Sequence, residues 1–248
     1  MNQIQMFRAT MAAFKEKPEW PKSTLLTAPL AATAPLSRRV APWRVINADV
    51  FAVMSEEATQ VGVMNFASPT NPGGGVEFGA HAQEESIAKG TYLMPALRQF
   101  ETNYYAVNRA HTNGGLNTPN MIYSAHVRQL FDHEGRQLAD RYVDIATVAA
   151  PNRRRFPDLD ADKALADIAA KILQTLRAFK AHGVRRPILG AFGCGVFGND
   201  PTAVARLFAQ ALRQREFNGA WDEVVFAVYD PTGTTYRAFV TGLKEPRA

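Results

Sequence analysis

The sequence predicts a single α/β domain with helices on both faces of a central sheet. Short apolar runs typical of buried strands alternate along the chain with segments whose apolar residues recur every three or four positions, as in amphipathic helices. The chain has 248 residues, of which 46% are hydrophobic, and this is enough for one domain with a substantial core. No internal repeat divides it.

The predicted elements begin with a helix over residues 3–16, whose apolar side chains share one face. Residues 18–42 are rich in proline, alanine and threonine and show no period. We therefore interpret residues 1–42 as a helical and irregular amino-terminal arm, and residues 43–248 as the domain. The predicted strands are 44–50, 58–67, 121–124, 142–148, 187–192 and 223–229, and the predicted helices are 83–100, 164–181 and one that begins at Asn199-Asp200-Pro201.

The cysteine content, the length of the apolar runs and the net charge predict the compartment in which the protein works and the kind of partner it binds. The single cysteine, Cys194, excludes an internal disulfide framework and fits a reducing compartment. No apolar run reaches the length that spans a bilayer, and residues 1–8 lack the basic head and apolar block of a secretory signal. We therefore expect a cytoplasmic protein that contacts no membrane. The net charge of +5 mildly favours an anionic partner, but it is spread along the chain, so we expect no stable nucleic-acid partner.

A run of three glycines, Gly73-Gly74-Gly75, follows a predicted strand and a cluster of turn-forming residues. A backbone without side chains can approach a bulky anion, and consecutive amides can form an anion-binding concavity. Glu84 and Glu85 follow at the start of a predicted helix, and could meet the rest of such a ligand in the same cleft. Two plainer interpretations stay open: the glycines form a tight turn, and the glutamates complement the helix dipole.

These two features together carry a family resemblance. The segment NFASPTNPGGG at 65–75, followed after seven residues by QEE at 83–85, resembles the signature of bacterial-type poly(ADP-ribose) glycohydrolases, which have a macrodomain fold. The similarity continues in the same order through 122–124, 143–152 and 193–201, and spans most of the chain. The resemblance implies a three-layer α/β/α macrodomain-like fold with a mixed central sheet.

The resemblance also implies roles for the residues of the signature. Glu85 would be the catalytic acid, Glu84 would bind ribose hydroxyls, Gln83 would help to orient the acid, and Gly73 to Gly75 would line the diphosphate. The bond cleaved would be the ribose–ribose O-glycosidic link of poly(ADP-ribose), chiefly at chain ends, with ADP-ribosylated proteins as substrates. Adjacent residues on one helix lie about 100° apart around its axis, so they are poorly placed to flank the bond as the usual carboxyl pair does. We therefore expect one working carboxyl group.

A second glycine loop, GCGVFG at 193–198, matches the G-x-G-x-x-G pattern of dinucleotide-binding sites. Against that alternative, the next helix begins past the third glycine, and no acidic residue ends the following strand at the expected distance. By the resemblance, this loop covers the phosphates and Phe197 packs on the distal ribose, although Phe197 could also be a core aromatic. The expected substrate contacts outside the signature's QEE and glycine run are Asn65, Gly193, Gly195, Val196, Phe197 and Gly198.

The histidines show no metal-ligand spacing, and we expect neither a metal nor a cofactor. Tyr104 and Tyr105 are interpreted as core residues rather than as adenine-stacking residues. Two further functions stay open. One is a non-catalytic ADP-ribose-binding macrodomain that kept the pocket and lost turnover, and the other is a hydrolase of mono-ADP-ribosyl links.

Overall fold

The computed structural model describes residues 1–56 and 60–244 and contains a seven-stranded mixed sheet in the order β1-β4-β5-β3-β6-β7-β2. The strands are β1 (Lys22–Leu26), β2 (Trp43–Ile46), β3 (Val61–Phe66), β4 (Met121–Arg128), β5 (Tyr142–Val148), β6 (Arg186–Leu189) and β7 (Val224–Ala227). β4 pairs antiparallel with β1 and with β5, whereas the pairs from β5 through β3, β6 and β7 to β2 are parallel. The carboxyl ends of these five parallel strands therefore meet at one edge of the sheet.

Helices cover both faces of the sheet. They are α1 (Gln3–Glu16), α2 (Val50–Glu56), α3 (Gln83–Ala88), α4 (Leu93–Arg98), α5 (Ala106–Ala110), α6 (Ala161–Ala181), α7 (Pro201–Leu212) and α8 (Thr234–Lys244). One core lies between the sheet and α6, α7 and α8, and the other lies between the sheet and α2, α3 and α4. Within residues 1–56 and 60–244, no helix has the length and apolar character that crossing a bilayer requires.

Central strands contribute side chains to both cores in alternation. Val63 and Val225 belong to the core beneath α2 to α4, whereas their neighbours Met64 and Phe226 belong to the core beneath α6 to α8. Strands buried on both faces are apolar without interruption, which is why the sequence shows short continuous apolar runs there. The predicted three-layer α/β/α arrangement with a mixed sheet is confirmed.

Several predicted elements are confirmed with their boundaries. The helix 3–16 matches α1, the strand 142–148 closely matches β5, and α7 begins at Pro201. The side chain of Asp200 caps α7 by accepting the backbone N–H of Ala203 at 2.6 Å. The predicted strand 58–67 corresponds to β3, but its first two positions lie outside the described residues.

Other predictions are wrong in part. Residues 18–42 are not wholly irregular, because β1 pairs with β4 at the edge of the sheet, a contact between segments about 100 residues apart. The division of the chain between residues 42 and 43 stays a prediction, although β1 belongs to the sheet. The strand predicted over 44–50 ends at Ile46, and α2 follows it, with the side chain of Asp49 accepting the Phe51 N–H at 2.8 Å.

The helix predicted over 83–100 is two helices, α3 and α4, separated at Lys89 to Tyr92. The break lies at Gly90. A Cβ at this position would overlap the Phe51 ring, and the Gly90 carbonyl accepts the backbone N–H of Leu130 at 2.8 Å. Residues 90–91 therefore run beside the segment after β4 instead of continuing the helix. α8 was not predicted.

Candidate active site

A cavity of about 530 Å³ opens at the edge where the carboxyl ends of the five parallel strands meet. Each of these strands is followed by a residue that lines it. They are Asn152 after β5, Ser68 after β3, Gly193 after β6, Tyr229 after β7 and Asp49 after β2. Open parallel sheets bind their ligands at this edge. The sequence analysis placed the glycine loop and the acidic helix start here, and Glu84 and Glu85 both line the cavity.

Glu85 lies in the first turn of α3 and is 7% exposed. Its Oε1 accepts the backbone N–H of Gly75 at 2.8 Å, and its Oε2 accepts that of Ala82 at 3.1 Å. The two donors come from opposite ends of the loop 75–82, so the carboxyl group is held in one orientation at the cavity wall. A side chain fixed by backbone donors is well suited to catalysis, because its reactive atoms need no reorganisation.

Glu84 is buried more deeply, at 3% exposed. Its Oε2 accepts the Ser68 N–H at 2.7 Å, and its Oε1 accepts from Asn65 Nδ2 at 3.3 Å. Burial raises the pKa of Glu84 to about 8, against the opposing effect of these hydrogen bonds and with a further increase from the charge of Glu85. Glu84 is therefore largely protonated at neutral pH.

Asn65 lies at the end of β3 and is fully buried. Its Nδ2 also donates to Thr147 Oγ1 at 3.2 Å, which joins β3 to β5 beneath Glu84. Tyr104 and Tyr105 are likewise fully buried and pack edge to face with ring centroids 5.0 Å apart. Their interpretation as core residues rather than adenine contacts is confirmed.

Gln83 fixes α3 to β3. β6 pairs with β3 only as far as Val63, and beyond that point the Gln83 amide accepts the Phe66 N–H at 2.9 Å and donates to the Met64 carbonyl at 2.8 Å. The side chain thus continues the hydrogen bonding of the strand and places the next two residues of α3. Its role in orienting the acid stays a prediction, and these contacts show how it would act.

The first glycine loop contacts the glutamates rather than the open cavity. A Cβ at Gly74, where φ is +63°, would overlap Glu85 Oε1 and lie 3.2 Å from Glu84 Oε2. A Cβ at Gly75 would lie 2.9 Å from Ala80 Cβ, and Gly73 has φ +71°. None of the three glycines is part of the cavity wall. The expectation that they line a diphosphate stays a prediction, and their observed contacts hold the carboxyl groups.

The second glycine loop does line the cavity, through Gly193, Gly195, Val196 and Phe197, whereas Gly198 lies outside its wall. A Cβ at Gly195 would meet no atom within 4 Å, and Val196 is 67% exposed. Phe197 is half-buried against the core beneath α6 to α8, so it has both a core contact and a surface in the cavity.

This second loop is tied to the loop after β5. Asn199 Nδ2 donates to the carbonyls of Pro151 and Gly193, at 2.9 and 3.0 Å, and the Arg154 N–H donates to the Phe197 carbonyl at 3.2 Å. The two loops therefore form one wall of the cavity, above the end of β3.

Comparison with known proteins agrees with this arrangement. The family model described as "Microbial-type PARG, catalytic domain" matches residues 6–131, just over half of the chain. The chain belongs to the microbial-type poly(ADP-ribose) glycohydrolase (PARG) family. It is therefore a glycohydrolase. Comparison with curated proteins gave no significant match.

Solved PARG structures extend the match over almost the whole chain. The PARG of Thermomonospora curvata is 29% identical over 97% of this chain and 98% of its own, with a TM-score of 0.82, and has also been solved with the inhibitor ADP-HPD bound. The PARG of Deinococcus radiodurans in complex with ADP-ribose is 32% identical over 94% of this chain and 97% of its own, with a TM-score of 0.76. The macrodomain-like PARG fold is thus confirmed.

The sequence analysis missed the far end of the PARG cavity, at β7 and β2. Asp49, Tyr229, Asp230 and Thr235 line it there. The Asp230 carboxylate accepts from the N–H and hydroxyl of Thr232, at 2.9 and 2.7 Å, and these bonds, together with those from the N–H groups of Tyr236 and Thr235, lower its pKa to about 2. The available signal was that Asp230 directly follows one predicted apolar strand and that Asp49 lies next to the end of another, which identifies the strand ends but not which ones are neighbours.

Proposed function

We propose that this chain hydrolyses the ribose–ribose O-glycosidic bonds of poly(ADP-ribose) and releases ADP-ribose, with Glu85 as the general acid. The observation that carries the proposal is the Glu85 carboxyl group, buried at the wall of the cavity and fixed by the Gly75 and Ala82 N–H groups. Proteins that carry the polymer would then be its substrates.

The order of the strands supports one orientation of the ligand. The glutamates lie beyond β3, the loop 193–198 follows β6, and Tyr229 and Asp49 follow β7 and β2, which is their order across the sheet. ADP-ribose has the same sequence of groups: a ribose with the reacting carbon, a diphosphate and an adenosine. The distal ribose would meet the glutamates, the diphosphate would meet the second glycine loop, and the adenosine would reach the far end. The D. radiodurans PARG, with ADP-ribose bound, supports this class of ligand.

The reaction breaks the bond between the anomeric carbon of the distal ribose and the oxygen of the next ribose. Glu85 donates its proton to the leaving oxygen as the bond breaks and an oxocarbenium-like sugar forms. Water adds to the anomeric carbon and its proton returns to Glu85, so the acid is regenerated. With one working carboxyl group, the water would be held by the substrate diphosphate.

Glu84 assists by holding a proton in the pair. Burial raises the pKa of Glu84, and the negative charge of Glu85 raises it further, so this part of the cavity favours the protonated form of Glu84. A substrate diphosphate adds negative charge nearby and favours protonation further. The donors Ser68 and Asn65 hold the Glu84 carboxyl group in one orientation, which supports the proposal that it binds ribose hydroxyls.

The test is release of ADP-ribose from purified poly(ADP-ribose) with a chelator present, beside release from a mono-ADP-ribosylated protein. We expect release from the polymer. Binding of ADP-ribose without release from either substrate would instead identify a non-catalytic binding macrodomain. Release from the mono-modified protein alone would identify a hydrolase of mono-ADP-ribosyl links.

A further inference from the structure

A second, shallower cavity of about 450 Å³ adjoins the active-site cavity. Arg155 belongs to the walls of both. The rest of the second wall comes from Gly114, from the loop after β5, including Phe156 and Asp158, and from the start of α6, including Asp160 and Lys163. Nothing in the proposed chemistry of Glu85 requires this second cavity.

We propose that the second cavity is a subsite for the adenosine of the next ADP-ribose unit, the part of the polymer that leaves when the bond breaks. This inference rests on the proposed function. Its ligand is a nucleoside, bound by stacking and by hydrogen bonds to ribose hydroxyls, rather than a phosphate group.

The sheet order places the subsite on the correct side of the scissile bond. The terminal ADP-ribose would extend from the glutamates beyond β3 towards β6, β7 and β2. The remainder of the polymer must leave in the opposite direction, and β5 is the neighbour of β3 on that side. The loop after β5 carries Asn152 and Arg155 in the first cavity and continues directly into the wall of the second.

The chemistry of the polymer also requires an adenosine at this point. The oxygen that Glu85 would protonate belongs to the ribose of an adenosine, so a purine base lies one sugar away from the scissile bond. In the second cavity, the Phe156 ring is half-buried, with the Arg155 guanidinium 5.8 Å from its centroid. Bases stack on aromatic rings and on arginine planes.

The charges at the rim are balanced, because the Asp158 and Asp160 carboxylates offset the Arg155 guanidinium and the Lys163 ammonium, so the rim does not concentrate positive charge as a phosphate site does. Asp158 and Asp160 are exposed carboxylates, which repel phosphate but accept hydrogen bonds from ribose hydroxyls and from an exocyclic amine. One Asp160 oxygen accepts the Lys163 N–H at 2.9 Å as the cap of α6. The exposed Lys163 side chain adds one positive charge to this rim.

The second cavity is firmly held beside the first. The Phe156 ring covers Gly115, where a Cβ would lie 2.7 Å from it. The Asn152 N–H donates to the Gly115 carbonyl at 2.8 Å, and the buried Lys171 donates to the Leu116 carbonyl at 2.8 Å. The subsite is therefore preorganised, and a bound adenosine would add affinity for polymer without reorganisation of the loop.

The test compares Phe156→Leu with the unmodified chain in two assays. Leucine keeps an apolar side chain over Gly115 but removes the stacking ring. We expect KM for the polymer to rise about tenfold, as loss of one stacked base predicts, with kcat within about twofold. Kd for free ADP-ribose, which fills only the first cavity, should stay within about twofold. Phe156→Tyr keeps the ring and should retain the original KM.

Phe14→Leu is the matched control, because Phe14 is a half-buried aromatic residue of α1 that lines neither cavity. It should change neither assay, and thermal unfolding should show all three variants folded. An unchanged KM for Phe156→Leu, or a parallel loss of ADP-ribose affinity, would overturn the subsite while the proposed function stands. If the unmodified chain released no ADP-ribose from polymer, the proposed function would fail and the subsite with it.

Discussion

The two glycine loops lie at the same edge of the sheet, after β3 and β6, but their glycines face different neighbours. At Gly74 the space for a side chain is occupied by Glu85, whereas at Gly195 it is open and faces the cavity. Glycine is thus needed at position 74 because the Glu85 carboxyl group occupies the space of a side chain, whereas Gly195 leaves room for a ligand. A glycine run alone therefore does not identify a phosphate-binding loop.

The largest effect should come from removing the acid that the first loop holds. We expect Glu85→Gln to lower kcat on poly(ADP-ribose) by about 10²- to 10⁴-fold, because an amide cannot donate the proton, and to leave Kd for ADP-ribose within a few fold. Steady-state release of ADP-ribose and calorimetric binding measure the two quantities. Glu77→Gln, in the same loop but paired with Arg98 at the surface at 3.1 Å, is the control and should retain activity. Near-normal hydrolysis by Glu85→Gln would refute the assignment.

The first loop also helps to bury the Glu84 carboxyl group, and this should make stability depend on pH. The pKa of Glu84 is about 8 in the folded chain and near 4.5 in an unfolded one, so the folded state binds more protons between these values. Stability should therefore fall as pH rises, by roughly 3 kcal/mol between about pH 5 and about pH 8. Urea denaturation at both pH values measures this change.

Glu84→Gln isolates this contribution from that of other groups. It should remove most of the difference between the two pH values, since glutamine does not titrate. Asp230, whose pKa of about 2 lies far below this window, stays ionised throughout and does not contribute to the slope. An equal pH dependence in the variant and the unmodified chain would show that Glu84 titrates as an ordinary exposed carboxyl group.

Filling the space at Gly74 should have the next largest effect. In Gly74→Ala the new Cβ overlaps Glu85 Oε1, so the carboxyl group must move, and we expect kcat to fall by about 10²-fold. Gly183→Ala is the matched control: Gly183 has a similar φ of +72°, and its Cβ would meet no atom within 4 Å. It should show comparable backbone strain, measured by thermal unfolding, with unchanged kcat. If both variants kept full activity, the first loop would not position the acid.

Local patterns were sufficient to predict the parts of this molecule that depend on neighbouring residues. The period of α6, the cap and proline that start α7 and the apolar run of β5 are properties of short segments, and their helices and strand form there. The contiguous motif also predicted that the first glycine loop, Glu84 and Glu85 share one cleft, but it did not indicate that the loop contacts the carboxyl groups themselves.

Contacts between segments that are distant in the sequence could not be predicted from local patterns. β1 is ordered by pairing with β4, and Gln83 acts by completing the hydrogen bonding of β3, neither of which a local pattern reveals. Asp49 and Tyr229 were missed because the position of their short strands at the end of the sheet order decides that they share a cavity.

The smallest effect is expected for Gly195→Ala, and this variant distinguishes the roles of the two loops most directly. A methyl group at Gly195 would stand in open space at the cavity wall, so Gly195→Ala should not disturb Glu85. It should instead keep the backbone of the second loop away from the diphosphate and remove about one charge-assisted hydrogen bond. We therefore expect KM and Kd for ADP-ribose to rise about tenfold while kcat stays within about twofold. A fall in kcat with unchanged affinity would mean that the second loop also acts on the reacting bond. It would contradict the assignment of acid positioning to the first loop and of ligand binding to the second.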